Sequence, residues 1–225
     1  MIDSLTLKEL KDIVKDQADM ANTSFITDTV LNYWVNAELF ELYDVLVSCF
    51  PEQFLEIQAV TLAAGSDYIV LPDNFHTLLK VFYVDSAGNK TCLRKFMLDE
   101  MDQTCDVDWA SSVAAESCRY RLLGNRVYFV PLPGSAQTLQ IWYVPRPTRL
   151  FADTQRVDIN VPVGWEDFVI SGCVARCLLK EESDATPFLM RKEAMRKHIV
   201  DTSMNRDAGT GERIVDVYHR FESQE

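Results

Sequence analysis

The spacing of apolar residues changes twice along this chain, and that double change limits the folds open to it. Up to about residue 54 the period is helical. Thr6 with Glu9 three residues later forms a capping-box pattern, and Leu7, Leu10, Ile13 and Val14 follow as one stripe. Residues 21–24 break the stripe. Thr27-Asp28 then restarts a helix as cap and first-turn acid. Leu31, Trp34, Val35, Leu39, Leu42 and Leu46 hold the helical period to about Phe50, and Pro51 stops it.

Between residues 55 and 147 the pattern becomes that of short strands. Val60 to Ala63 and Tyr68 to Leu71 flank Ala64-Gly65-Ser66-Asp67, a hairpin signal. Leu78 to Val84 and Thr91 to Phe96 flank the turn Ser86-Ala87-Gly88-Asn89. Tyr120 to Leu123 and Arg126 to Val130 flank Gly124-Asn125, which predicts a tight hairpin. Thr138 to Val144 is the last strand, closed by Pro145 and Pro147.

Helical spacing returns after residue 162. Trp165 to Lys180 carries a wide apolar face, and Gly172 inside it trades helix stability for close helix contact. Glu181 to Ala185 is a polar break. Thr186-Pro187 starts another helix, with Thr as N-cap, that runs to about Asn205. The expected fold is therefore α+β: an antiparallel four-helix bundle core with an inserted antiparallel β domain and an extended C-terminal tail. The expected boundaries are 1–54 and 148–206 for the two helix pairs, 55–147 for the β domain and 207–225 for the tail. A chain of 225 residues can bury roughly 70% of its surface, enough for one core with a satellite.

Charge removes several functions. The net charge of −12 argues against gripping DNA phosphates. Residues 1–60 hold 3 basic and 11 acidic side chains, whereas 186–206 hold 5 basic and 2 acidic. The basic last helix reads either as a solvated face or as a face that meets an acidic surface, in the same subunit or in a neighbour. The start of the chain lacks a basic and apolar leader, and the apolar run Phe168 to Leu179 is too short to span a bilayer, so a soluble protein without membrane contact is expected. Six cysteines form no CxxC pair. Cys173 and Cys177 read as small buried hydrophobes.

A search for chemistry finds little. His76, His198 and His219 come without a nucleophile signature, and no GxSxG, HExxH or phosphate-binding loop is present. Gly209-Thr210-Gly211 lacks a third glycine and a preceding strand. Asp102, Asp106 and Asp108 lack the glycine turn and further ligands of a calcium loop. No catalytic, cofactor or metal site is expected. The aromatics, Tyr33 among them, mostly lie at periodic positions and are expected in the core.

The order of certain short segments resembles the head-to-tail adaptor (connector) proteins of tailed bacteriophages. These segments are Asn32-Tyr33-Trp34-Val35-Asn36-Ala37, Leu71-Pro72-Asp73-Asn74-Phe75, Pro131-Leu132-Pro133, Tyr143-Val144-Pro145-Arg146-Pro147, Pro162-Val163-Gly164-Trp165, Lys180-Glu181-Glu182-Ser183-Asp184 and Asn205-Arg206-Asp207. The resemblance covers nearly the whole chain. It implies a structural protein of the virion neck, assembled in the host cytoplasm as a ring, usually of twelve copies. Such a ring links the portal to a tail nozzle or tail-tube protein, sometimes with fibres, and lets double-stranded DNA pass without specific binding. It implies no active site. The neighbouring reading is a tail-completion or tail-tube component of the same neck.

Under this reading the tail Arg213, Ile214, Val215, Asp216, Val217 and Tyr218 docks on the portal by adding to a sheet or filling a groove. Arg191, Lys192, Arg196, Lys197, Asn205 and Arg206 are the candidate subunit interface. An acidic or neutral lumen is expected, because it repels DNA phosphates.

Overall fold

A computed structural model of the chain describes residues 5–20, 26–97, 118–156 and 165–204. The first helix, α1 (Leu7–Gln17), starts on the predicted capping box. Thr6 Oγ1 accepts the Glu9 N–H at 3.2 Å, and Glu9 Oε2 accepts the Thr6 N–H at 2.7 Å. The box satisfies two helix-end donors reciprocally. The same backbone bond holds the Glu9 carboxyl below its ordinary range. Helix α2 (Asp28–Cys49) starts at Thr27, whose hydroxyl accepts the Val30 N–H. It ends two residues before Pro51, which opens a 3₁₀ turn, Pro51–Phe54.

Helices α3 (Glu166–Lys180) and α4 (Thr186–Met204) follow the β region. The start of α4 differs from expectation in one detail. The Asp184 carboxylate, rather than the Thr186 hydroxyl, meets the first turn, accepting the Thr186 N–H at 2.9 Å. The carbonyl of Ala185 already accepts from Leu189, so the cap lies one residue earlier than the threonine.

The strands form two four-stranded sheets. One holds β1 (Glu56–Leu62), β8 (Gln137–Pro145), β3 (Phe75–Val84) and β4 (Lys90–Cys92), in that order and antiparallel. The other holds β2 (Tyr68–Val70), β7 (Arg126–Val130), β6 (Arg119–Leu123) and β5 (Arg94–Lys95). Leu139 and Ile141 alternate inward along β8 and meet Val127 and Phe129 of β7 in a shared apolar interior. The Gly124-Asn125 hairpin forms as expected, with Leu123 opposite Arg126 and Gly124 at φ 59°. A two-residue loop of this kind needs a left-handed first residue.

The Ala64–Asp67 turn is not a hairpin. Strand β1 pairs with β8, and β2 pairs with β7, so the turn carries the chain from one sheet to the other. The Gly65 N–H bonds to the Pro133 carbonyl. Turn residues set a change of direction, but which strand fills an edge depends on remote partners. Here β8 offers β1 seven paired positions. The chain crosses between sheets again at buried Leu93, between β4 and β5.

The expected four-helix bundle core is overturned. The described residues hold four helices beside two four-stranded sheets, a sheet-rich α+β fold. The helices run to 11, 22, 15 and 19 residues, too unequal for a common bundle length. Their shared apolar cluster is completed by non-helical residues: Val144 at the end of β8, Phe54 of the 3₁₀ turn, and Leu150. Periodicity identifies the stripe each helix must bury, and strand ends and loops cover part of it. Nor is the β region wholly antiparallel, since β5 runs parallel to β6. The expected extended tail lies outside the described residues.

The helices are fastened to the sheet at the end of β8. Tyr43 Oη on α2 donates to the Pro145 carbonyl at 2.6 Å. Burial, helped by Glu56 and Asp44 nearby, pushes the Tyr43 hydroxyl up to about 12.

Candidate functional site

Two features of the helical layer stand out, and both begin on α2. The first is a buried charge. Glu38 lies on the face of α2 that also buries Leu31, Val35 and Leu42, and its side chain is 2% exposed. Arg176 Nε of α3 donates to Glu38 Oε1 at 2.7 Å. Lys192 Nζ of α4 lies 2.7 Å from Glu38 Oε2 and 2.7 Å from Glu41 Oε2. The same ammonium stands 4.8 Å from the centre of the Phe168 ring. Two carboxylates and two cations therefore tie three helices together, with their charges balanced.

Gly172 makes room for this cluster. A Cβ there would stand 2.9 Å from Glu38 Oε1 and closer still to the other carboxylate atoms. The close contact expected of Gly172 is thus with a carboxylate. The signal for Glu38 itself is a charged residue interrupting an apolar stripe, opposite a glycine inside an apolar helix.

The second feature is a cleft of about 250 Å³ between the N-terminal half of α2 and residues 149–151. Asn36 builds its floor. Its Nδ2 donates to the Leu150 carbonyl at 2.9 Å and its Oδ1 accepts the Leu150 N–H at 2.7 Å. The Phe151 and Ala152 N–H groups donate to Gln155 Oε1. The Gln155 carbonyl in turn accepts the Leu7 N–H at the start of α1. Tyr33, Ala37, Phe40, Arg149 and Phe151 line the cleft. The Arg149 guanidinium lies over the Phe40 ring, 5.4 Å from its centre. Tyr33 and Phe151 are 65% and 74% exposed, so Tyr33 is not the core residue its position suggests. Helical phase puts it one step from the part-buried Asn32–Asn36 contact, on the outer side.

The predicted interface residues divide. Arg191 pairs with Asp167 of α3 at 2.6 Å and Lys192 with the α2 acids, so both cations meet acids of their own chain. Arg196 lies 3.8 Å from Glu193 on the same helix, and Lys197 is exposed. Asn205, Arg206 and the tail residues Arg213 to Tyr218 lie outside the described residues, as do Asp102, Asp106 and Asp108.

Among the described residues no group of three potential ligands could hold a metal ion, and no helix is long and apolar enough to cross a membrane. Cys173 and Cys177 are buried free thiols, as their spacing suggests. Burial pushes both up, Cys177 to about 11, which leaves them protonated and unreactive near neutral pH.

No curated protein matches this chain. The family model described as SU10 adaptor protein matches residues 5–213. That span takes in every helix and strand described above, and the chain belongs to this family of phage adaptors.

Proposed function

We propose that this adaptor works as a ring of identical copies that joins the portal to the tail in the virion neck and lets the genome pass through. The observation that carries the reading is the family match over residues 5–213. Two physical features support it. The net charge of −12 suits a conduit that repels DNA phosphates and leaves the duplex free to slide. The α4 cations that remain toward solvent, Arg196 and Lys197, suit contact with an acidic neighbour.

In this reading the segment Arg213 to Tyr218 docks on the portal, with Ile214, Val215 and Val217 as its apolar side chains. Deletion of residues 207–225 is expected to abolish co-sedimentation with purified portal rings. Attachment at wild-type level would reject the assignment.

The ring interface has its own test. Reversing both charges, Arg196→Glu with Lys197→Glu, is expected to weaken ring assembly by about tenfold at moderate salt, with less effect at high salt. Native mass spectrometry across a salt series reads this directly. Rings that form equally well at every salt concentration would remove α4 from the interface.

A further inference from the structure

The cleft on α2 has a counterpart elsewhere on the same chain. Around the connection between α3 and α4, Leu179 of α3 and Leu189 and Met190 of α4 face solvent, Met190 at 69% exposure. Between them stand Glu181, Glu182 and Asp184, all exposed. Residues 179–185 carry one cation, Lys180, against these three acids, a net of −2. The turn holds Glu182 at φ 58°, a left-handed conformation in which glycine would be less strained. The chain thus keeps a carboxylate at the tip against the local backbone preference. The cleft is the complement: three aromatic rings and an exposed guanidinium, Arg149.

We infer that the α3–α4 connection and the first turns of α4 of one copy seat in the α2 cleft of the next, with Leu189 and Met190 against Tyr33, Phe40 and Phe151 and with Glu181 and Glu182 facing Arg149. The inference rests on the ring reading above and specifies its interface. Ala37 and Phe40 of the cleft immediately precede Glu38 and Glu41, which face α4, so the two faces lie about 100° apart around α2. Two different surfaces of one chain that fit each other make a head-to-tail contact, and such contacts close into rings when the rotation allows. Apolar side chains at the centre with a charged rim are the composition of a specific interface.

The test uses the full-length chain with a benzophenone amino acid in place of Met190, mixed with isotope-labelled copies and irradiated under conditions where wild-type chains assemble. Cross-links between labelled and unlabelled copies are expected to map to the segments 29–40 or 149–151. Arg149→Glu is expected to weaken assembly at least tenfold while leaving the melting curve unchanged. Glu181→Arg with Glu182→Arg is expected to restore assembly to the Arg149→Glu protein. Met190→Asp, at an exposed position, is expected to weaken assembly in the same way. Rings whose cross-links map elsewhere, or that ignore these substitutions, overturn this interface and leave the ring standing. A wild-type chain that stays monomeric at every concentration overturns both.

Discussion

Gly172→Ala is expected to lower the stability of the folded chain by about 2–4 kcal/mol, although glycine-to-alanine changes inside helices ordinarily raise it by up to about 1 kcal/mol. The reversal comes from Glu38. The added methyl group overlaps the carboxylate, so the Glu38 side chain must leave its place. A free glutamate would rotate away at little cost. This one is 2% exposed, accepts a hydrogen bond from Arg176 and is ion-paired with Lys192. Moving it separates a buried carboxylate from its cations, a loss typically of about 3–5 kcal/mol when complete. Lys192 keeps Glu41, and Arg176 is partly solvated, which lowers the net figure.

Urea denaturation measures the change. A Gly172→Ala protein as stable as the wild type would show that the carboxylate has a cheap second position. The cause can be isolated with a cycle. Truncating Glu38 to Ala opens the space, so the double change is expected to cost less than the sum of the singles by about 1–3 kcal/mol. Simple addition of the two effects would mean that the glycine and the glutamate act independently.

Asn36→Ala is expected to cost about 2–4 kcal/mol and to loosen one wall of the cleft. The Asn36 amide satisfies both backbone groups of Leu150, and all three partners are buried. Without it the Leu150 N–H and C=O lose their protein partners beside the cleft, at up to about 1–3 kcal/mol each, less where cleft water takes the vacated place. Asn36→Asp does not rescue, because its second oxygen meets the Leu150 carbonyl with no proton to donate. Hydrogen exchange at the Leu150 amide gives the local readout, and it is expected to speed up well beyond what the global loss of stability accounts for. Exchange at Leu150 that merely follows global unfolding would reduce Asn36 to a general packing role. If the cleft seats a neighbouring copy, the same substitution also weakens assembly.

These two sites show where sequence reasoning stops. The capping box of Thr6 and Glu9, the Thr27 cap and the Gly124-Asn125 hairpin were all legible, because each depends on groups within three residues of one another. Helix positions were legible for the same reason: a stripe recurs every third or fourth residue whatever covers it. The cap of α4 shows the usual margin, with Asp184 taking a role assigned to Thr186. The adaptor family was also within reach, since the order of short segments along the chain carries it and needs no contact to be known.

Tertiary structure alone decided who pairs with whom. Glu56 lies beside Tyr143 across a separation of 87 residues, and Asn36 holds Leu150 across 114. Nothing near Ala64–Asp67 in the chain announces that β1 belongs to β8 rather than to β2, and nothing in the helical stripes announces that Val144 and Leu150 complete the cluster. Local bonds are written in local residue types. Remote pairings are settled by competition among all apolar and polar groups for cover and partners, and only the folded chain records the outcome. That is why the helices were read correctly one by one, while the bundle expected of them gave way to a layer closed by the ends of a sheet.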